Sequence, residues 1–170
     1  MWLLPLTPSM KFMSSVPPPG TKRRALLELT RQECLDLLKT GGFGRLAVNG
    51  SGPAPIVRPV NYVFDPHSQS VVINTAEGSK LHSLLRETHA TFEVDAVDAT
   101  TRTGWSVIIV GVTEALTKPD EIRRVEALEL DSWTPNEKSH WVRIRAWTVS
   151  GRRLTKQPDP VSPSGYSPAP

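Results

Sequence analysis

A single cysteine, Cys34, leaves this 170-residue chain without an internal disulfide, and four scattered histidines cannot stand in for a Cys-rich zinc scaffold. Redox and structural-metal frameworks are therefore not expected. Long hydrophobic runs are lacking too: the strongest spans Val107 to Val112, far short of the roughly 18 residues that a membrane-spanning helix needs. The apolar opening Met1-Trp2-Leu3-Leu4 follows no basic segment and is interrupted by Pro5 and Pro8, so it makes a poor signal peptide. A cytoplasmic protein with no membrane partner is the expectation. Charge of either sign never gathers into a tract, with 20 Lys and Arg interleaved among 17 Asp and Glu for a net charge of +3. Nucleic acid is not an expected partner on that footing, whereas a small phosphorylated ligand needs only two or three cations.

What is present is a soluble-globular composition, 38% hydrophobic and 22% charged, at a length that suits one domain. Ten of the sixteen prolines fall before residue 21 or after residue 156. Residues 1–25 and the Pro/Ser-rich residues 157–170 are accordingly expected to be disordered tails around a folded unit at 26–156.

Within that unit, Thr30 and Glu33 form a capping-box pattern, and Leu29, Cys34, Leu37 and Leu38 follow near helical spacing until Gly41-Gly42. Strands are expected from Phe43 to Val48, Ile56 to Phe64, Val71 to Thr75, Ala90 to Ala96, Trp105 to Leu116 and Trp141 to Val149. Two further short helices are expected, over Gly78 to Arg86 and from Pro119 onward. Six strands, mostly joined in sequence, describe a mainly β fold with short helices: a six-stranded antiparallel sheet closing into a small barrel.

Three segments carry possible binding chemistry. In Arg58-Pro59-Val60-Asn61-Tyr62, proline cannot donate to a ladder, so the strand runs along an edge or a bulge where backbone groups stay available to a ligand. Alternation puts Arg58, Val60 and Tyr62 on one face and Pro59 and Asn61 on the other. A proline-protected edge with Arg58 in a surface ion pair is the plainer alternative. In Asn74-Thr75-Ala76-Glu77-Gly78-Ser79-Lys80, a strand runs into a helix start, where free N–H groups, a hydroxyl and an ammonium suit a phosphate monoester. An ordinary helix entry reads the same way. Gly104-Trp105-Ser106-Val107 opens a long strand with a tryptophan that either flanks an aromatic ligand or packs in the core. His67, His82, His89 and His140 have no nucleophile beside them, and Glu93 and Asp95 read as neighbours on a solvated strand face. No catalytic side chain or metal ligand is expected.

Taken in order, Gly44-Arg45-Leu46-Ala47, Arg58 to Tyr62, Thr75 to Leu81, Phe92 to Asp95, Gly104 to Val107 and Gly151-Arg152-Arg153 give a sequence that resembles the pyridoxamine 5'-phosphate oxidase-like, flavin-binding split-barrel family. The resemblance spans about Leu29 to Leu154. It implies a split barrel that forms a homodimer with FMN, or in a related branch a deazaflavin coenzyme, between subunits. Arg58 matches a phosphate-contacting arginine, and Pro59, Val60, Asn61 and Tyr62 match the strand alongside the flavin. Thr75, Ser79 and Lys80 match phosphate and ribityl contacts, while Trp105 and Ser106 match a partner-strand position facing the ring. The implied activity is a flavin-dependent oxidoreductase acting on a small molecule, with a non-catalytic FMN or deazaflavin binding or storage protein as the alternative. The C-terminal region that holds pyridoxamine phosphate in the true oxidase has no recognisable counterpart here.

Overall fold

The computed structural model describes residues 24–49, 52–76, 85, 89–130 and 140–156. Their elements are β1 (Arg24–Glu28), α1 (Arg31–Leu38), β2 (Gly42–Asn49), β3 (Pro55–Asp65), β4 (Ser70–Thr75), β5 (His89–Asp98), β6 (Thr103–Ala115), α2 (Pro119–Glu126) and β7 (His140–Lys156). The strands form one antiparallel sheet in the order β1-β7-β4-β3-β2-β5-β6, and β6 pairs back onto β7. Strands β2 to β7 thus close a barrel of the six expected strands. The unexpected seventh, β1, begins inside the stretch read as a tail and adds to β7 on the side that β4 occupies further along. The helix expected over Gly78 to Arg86 lies outside the described residues apart from Leu85, which is buried in the core.

Alternation along each strand fills the barrel. Leu46 and Val48, Val60, Tyr62 and Phe64, Val71 and Ile73, Phe92 and Val94, Val107 and Ile109, and Val142 and Ile144 point inward with Cys34, Leu35 and Leu38 of α1. Helix α1 starts as the capping box requires: the Thr30 backbone N–H donates to Glu33 Oε2 at 2.8 Å while the Thr30 hydroxyl accepts from the Glu33 N–H. The helix caps at Lys39, and the turn after it closes at Gly41, whose φ of 63° is the left-handed conformation that glycine reaches without a Cβ clash. The helix can seat on β7 because a Cβ at position 151 would lie 2.7 Å from the Cys34 sulfur. Outside the barrel a smaller apolar cluster, Val63, Val72, Leu116 and Val125 with Ile122, Leu128 and Trp141, fastens α2 to the sheet.

Strand β7 runs beyond its expected end at Val149, where it pairs with β6 as far as Leu154 and with β1 as far as Lys156, and it carries a bulge. Val110 pairs with Thr148 and Gly111 with Ala146, so Trp147 is the extra residue, exposed and set edge-on to the ring of His89. Inward residues switch from Val142, Ile144 and Ala146 to Val149 and Gly151 across it. Up to the bulge, Trp141, Arg143, Arg145 and Trp147 share the outer face, as alternation predicts: Trp141 packs under α2, and Arg143 joins Glu114 at 2.8 Å and Glu121 at 2.9 Å.

Asp65, at the end of β3, is a buried carboxylate that accepts from the Ser68 hydroxyl at 2.6 Å, the His67 N–H at 3.0 Å and Arg124 at 3.2 Å. Burial by itself would raise its pKa, but those three donors outweigh it and hold the carboxyl below its ordinary value. A depressed folded-state pKa contributes stability that is present above about pH 4 and lost as the pH falls through the folded value. Asp65→Ala is expected to cost about 2 kcal/mol at pH 7, with much of the difference gone by about pH 2, in urea melts at the two pH values. An equal gap at both would show that the carboxylate's charge is not what the turn uses.

Candidate functional site

Strands β3 and β4 pair only at Val63 with Val72, Phe64 with Val71 and Asp65 with Ser70. Before Val63, β3 is paired with β2, and beyond Val72, β4 is paired with β7, so the barrel wall opens between them. Pro59 lies on the open stretch, where a missing N–H costs no ladder bond. Val60 and Tyr62 point into the core, and burial pushes the Tyr62 phenol up to about 12, with the Thr40 hydroxyl acting in the opposite sense. Arg58 shares their side of the strand but is exposed, and its recorded bond among the described residues is a long 3.4 Å contact to the Val57 carbonyl. Continuing the β3–β4 register, Thr75 falls opposite Val60 and Asn74 opposite Asn61. A cation and a hydroxyl therefore flank the opening. Asn74 Oδ1 is buried there without a hydrogen-bond donor among the described residues. A buried acceptor left unpaired costs about 1–3 kcal/mol, which a donor on a bound molecule would relieve.

A second concavity, of about 680 Å³, lies on the outer face where β5, β6, β7 and β1 run side by side. One register row across it is Val97, Gly104, Leu154 and Leu26; the next is Asp95, Ser106, Arg152 and Glu28. Arg45 bridges Glu93, at 2.9 Å, and Asp95 at its edge. Trp105 belongs to the inward row and packs against the barrel core, meeting the cleft only at its margin.

The two places lie far apart in one chain. Thr75 pairs with His140 at the start of β7 and Trp105 with Arg153 near its end, thirteen residues and about 40 Å of strand away.

A filled barrel, a wall parted between β3 and β4 and a cleft far along β7 make up the architecture of the chain. The model of the pyridoxamine 5'-phosphate oxidase family matches residues 30–153. The chain belongs to that family. An FAD-binding protein of Mycobacterium smegmatis is 32% identical, with 74% of this chain and 96% of that one covered and a TM-score of 0.64. A Corynebacterium glutamicum protein provisionally assigned as a pyridoxamine 5'-phosphate oxidase is 34% identical, with 78% and 95% covered and a TM-score of 0.66. An uncharacterised protein of Mycobacterium tuberculosis is 36% identical over 92 residues, 54% of this chain and 82% of that one.

Within this family's barrel, Arg58, Pro59 and Asn61 lie along the stretch of β3 that β4 leaves unpaired, and Thr75 ends β4 beside it with its side chain buried; the Val60 and Tyr62 side chains are buried in the core, leaving only their backbone to meet a ligand there. Ser79 and Lys80 lie outside the described residues. Trp105 and Ser106 stand at the distant cleft. Arg102 was not singled out from sequence, and Asn74 and Arg152 stood in quoted segments without a binding role. Asn74 had a visible signal, since it precedes Thr75 on the same strand end. The face that Arg152 takes had none, because its side of β7 depends on the bulge at Trp147.

Proposed function

We propose that this split-barrel protein is a flavin-dependent oxidoreductase that holds its cofactor between two copies of the chain. The observation that carries this reading is the parted β3–β4 wall: Arg58 stands exposed in an otherwise core-facing row, beside Thr75 and the unsatisfied Asn74 oxygen. A guanidinium and a hydroxyl suit the anionic phosphate that FMN and FAD share, and Lys80, by its place in the sequence, adds a second cation. The Asn74 oxygen accepts from a ribityl hydroxyl or a ring N–H. The relative that binds FAD supports flavin as the ligand class.

A second copy completes the site, because the cleft that Ser106 lines, with Trp105 at its margin, sits at the far end of β7 in the same chain. The outer face also has apolar surface to cover: exposed Val57, Phe43, Ile108 and Val110 lie in adjacent register rows around the Arg45–Glu93 pair.

A bound flavin supplies hydride or single-electron transfer, chemistry that asks for no histidine or cysteine, and among the described residues none is positioned at the opening for acid-base or nucleophilic work. His67 sits in an exposed turn, His89 lies against Trp147 on the surface, and His140 starts β7. The chain's own contribution is binding, orientation and exclusion of water.

The purified protein is expected to be yellow, to release a flavin identifiable by mass, and to scatter light as a dimer. Under anaerobic mixing with NADPH or a reduced deazaflavin, the bound flavin is expected to bleach faster than it dissociates. Bleaching that merely tracks release would make the protein a flavin carrier, and a stable flavin-loaded monomer would overturn the shared site.

A further inference from the structure

The outer-face cleft offers hydrogen-bonding chemistry that the phosphate opening does not use. Resting on the flavin reading above, we propose that this cleft is an adenine subsite contributed across the dimer, so that the chain selects FAD over FMN.

Its floor suits a flat heterocycle. A Cβ on Gly104 would lie 2.5 Å from the Ala96 carbonyl oxygen, so close strand packing demands glycine there. Bare backbone results between Val97 and Leu154, with Leu26 beyond. Leu26 is 61% exposed and Val97 72% exposed, more apolar surface than strand residues on a closed barrel ordinarily leave to water. A ring laid over Gly104 would cover both.

The neighbouring polar row decides which ring. Asp95 offers an acceptor, Ser106 either role, and Arg152 donors. Asp95 binds Arg45 through Oδ1, which leaves its other oxygen for a ligand. Adenine presents an amino donor next to ring-nitrogen acceptors and matches this order. The pyrimidine edge of a flavin presents a carbonyl on each side of one N–H, which would set a carbonyl oxygen against the Asp95 carboxylate. Ser106, expected to face the flavin ring, thus stands in the row that reads adenine.

A cation for the second phosphate is also at hand. Arg102 lines the cleft from the β5–β6 turn with φ of 54°, and among the described residues it is in no ion pair. The turn is tied by Asp98 Oδ1, which accepts from the Thr100 N–H at 2.9 Å and the Thr101 N–H at 3.0 Å, and by a 2.7 Å bond between the Thr101 and Thr103 hydroxyls. Its position is built before any ligand arrives.

Titration of the flavin-stripped full-length protein with FAD, FMN and ADP, followed by calorimetry and flavin fluorescence, tests this. FAD is expected to bind at least tenfold more tightly than FMN, and ADP to displace FAD. Asp95→Asn and Arg102→Gln should each weaken FAD about five- to tenfold and leave FMN within about twofold. Arg102→Gln lies on an exposed turn and removes no packing, so it reports on binding even if Asp95→Asn disturbs the Arg45 cluster. Equal affinities for FAD and FMN in the unaltered protein, or parallel losses of both in Arg102→Gln, would overturn the adenine subsite and leave flavin binding standing. Failure of either flavin to bind would instead bring down the functional proposal on which it rests.

Discussion

Arg58→Ala is expected to weaken FMN and FAD binding about 10- to 150-fold while leaving riboflavin nearly unaffected. Charge-assisted hydrogen bonds to a phosphate contribute about 1.5–3 kcal/mol, and each 1.4 kcal/mol is a factor of ten in affinity. The side chain stands at the open stretch of β3, where the ladder to β4 has ended, and no carboxylate among the described residues pairs with it. Its loss should therefore cost the ligand more than the fold. Lys80→Ala is expected to behave alike on the strength of its place after Thr75 and Ser79 in the sequence. Riboflavin lacks the phosphate and serves as the control in fluorescence titrations. A parallel loss of riboflavin affinity would mean that Arg58 supports the ring or the strand and not the phosphate.

The largest effect on the fold is expected from Gly111→Val. A Cβ at position 111 would sit 1.9 Å from the Arg145 carbonyl oxygen and 2.9 Å from its carbon, and those backbone atoms cannot swing aside as a side chain could. The residue lies where β6 and β7 slip by one position around Trp147, so the clash would prise apart the pairing that closes the barrel. Overpacking of this kind costs about 3 kcal/mol, and for a domain of this size that lowers Tm by roughly 10 °C in a circular-dichroism melt. Gly52→Ala is the matched control, because a Cβ there meets nothing within 4 Å. If Gly111→Val melted within a degree or two of the unaltered protein, the bulge would be more pliable than its geometry indicates.

The local elements were legible because their causes are local. Thr30 and Glu33 cap α1 within one turn, Pro119 opens α2, and alternation along β3 correctly assigns Arg58, Val60 and Tyr62 to one side and Pro59 and Asn61 to the other. Burial of Cys34 follows from its place on the apolar stripe of α1. The antiparallel barrel was legible too, as six strands without intervening helices have few other ways to bury their inner faces. Even Pro59 announced the opening in the wall, since a residue with no N–H belongs where a strand lacks a partner.

What alternation cannot carry is a change of phase or a contact between distant strands. The bulge at Trp147 moves the inward side of β7 by one residue, and only pairing with Gly111 of β6 shows it. Past that point Arg152 and Leu154 are placed on the outer face beside Ser106 and Gly104, where β1, too short and plain to signal a strand, adds Leu26 to complete the cleft. The separation of Thr75 from Trp105 along β7 is likewise a matter of register between strands far apart in the chain. By itself the sequence determined which residues face inward over each unbroken strand and which segment would lack a partner on one side. The tertiary structure alone decided which of those faces meet, because strand register is set by long-range pairing and a one-residue slip exchanges the two sides of a sheet.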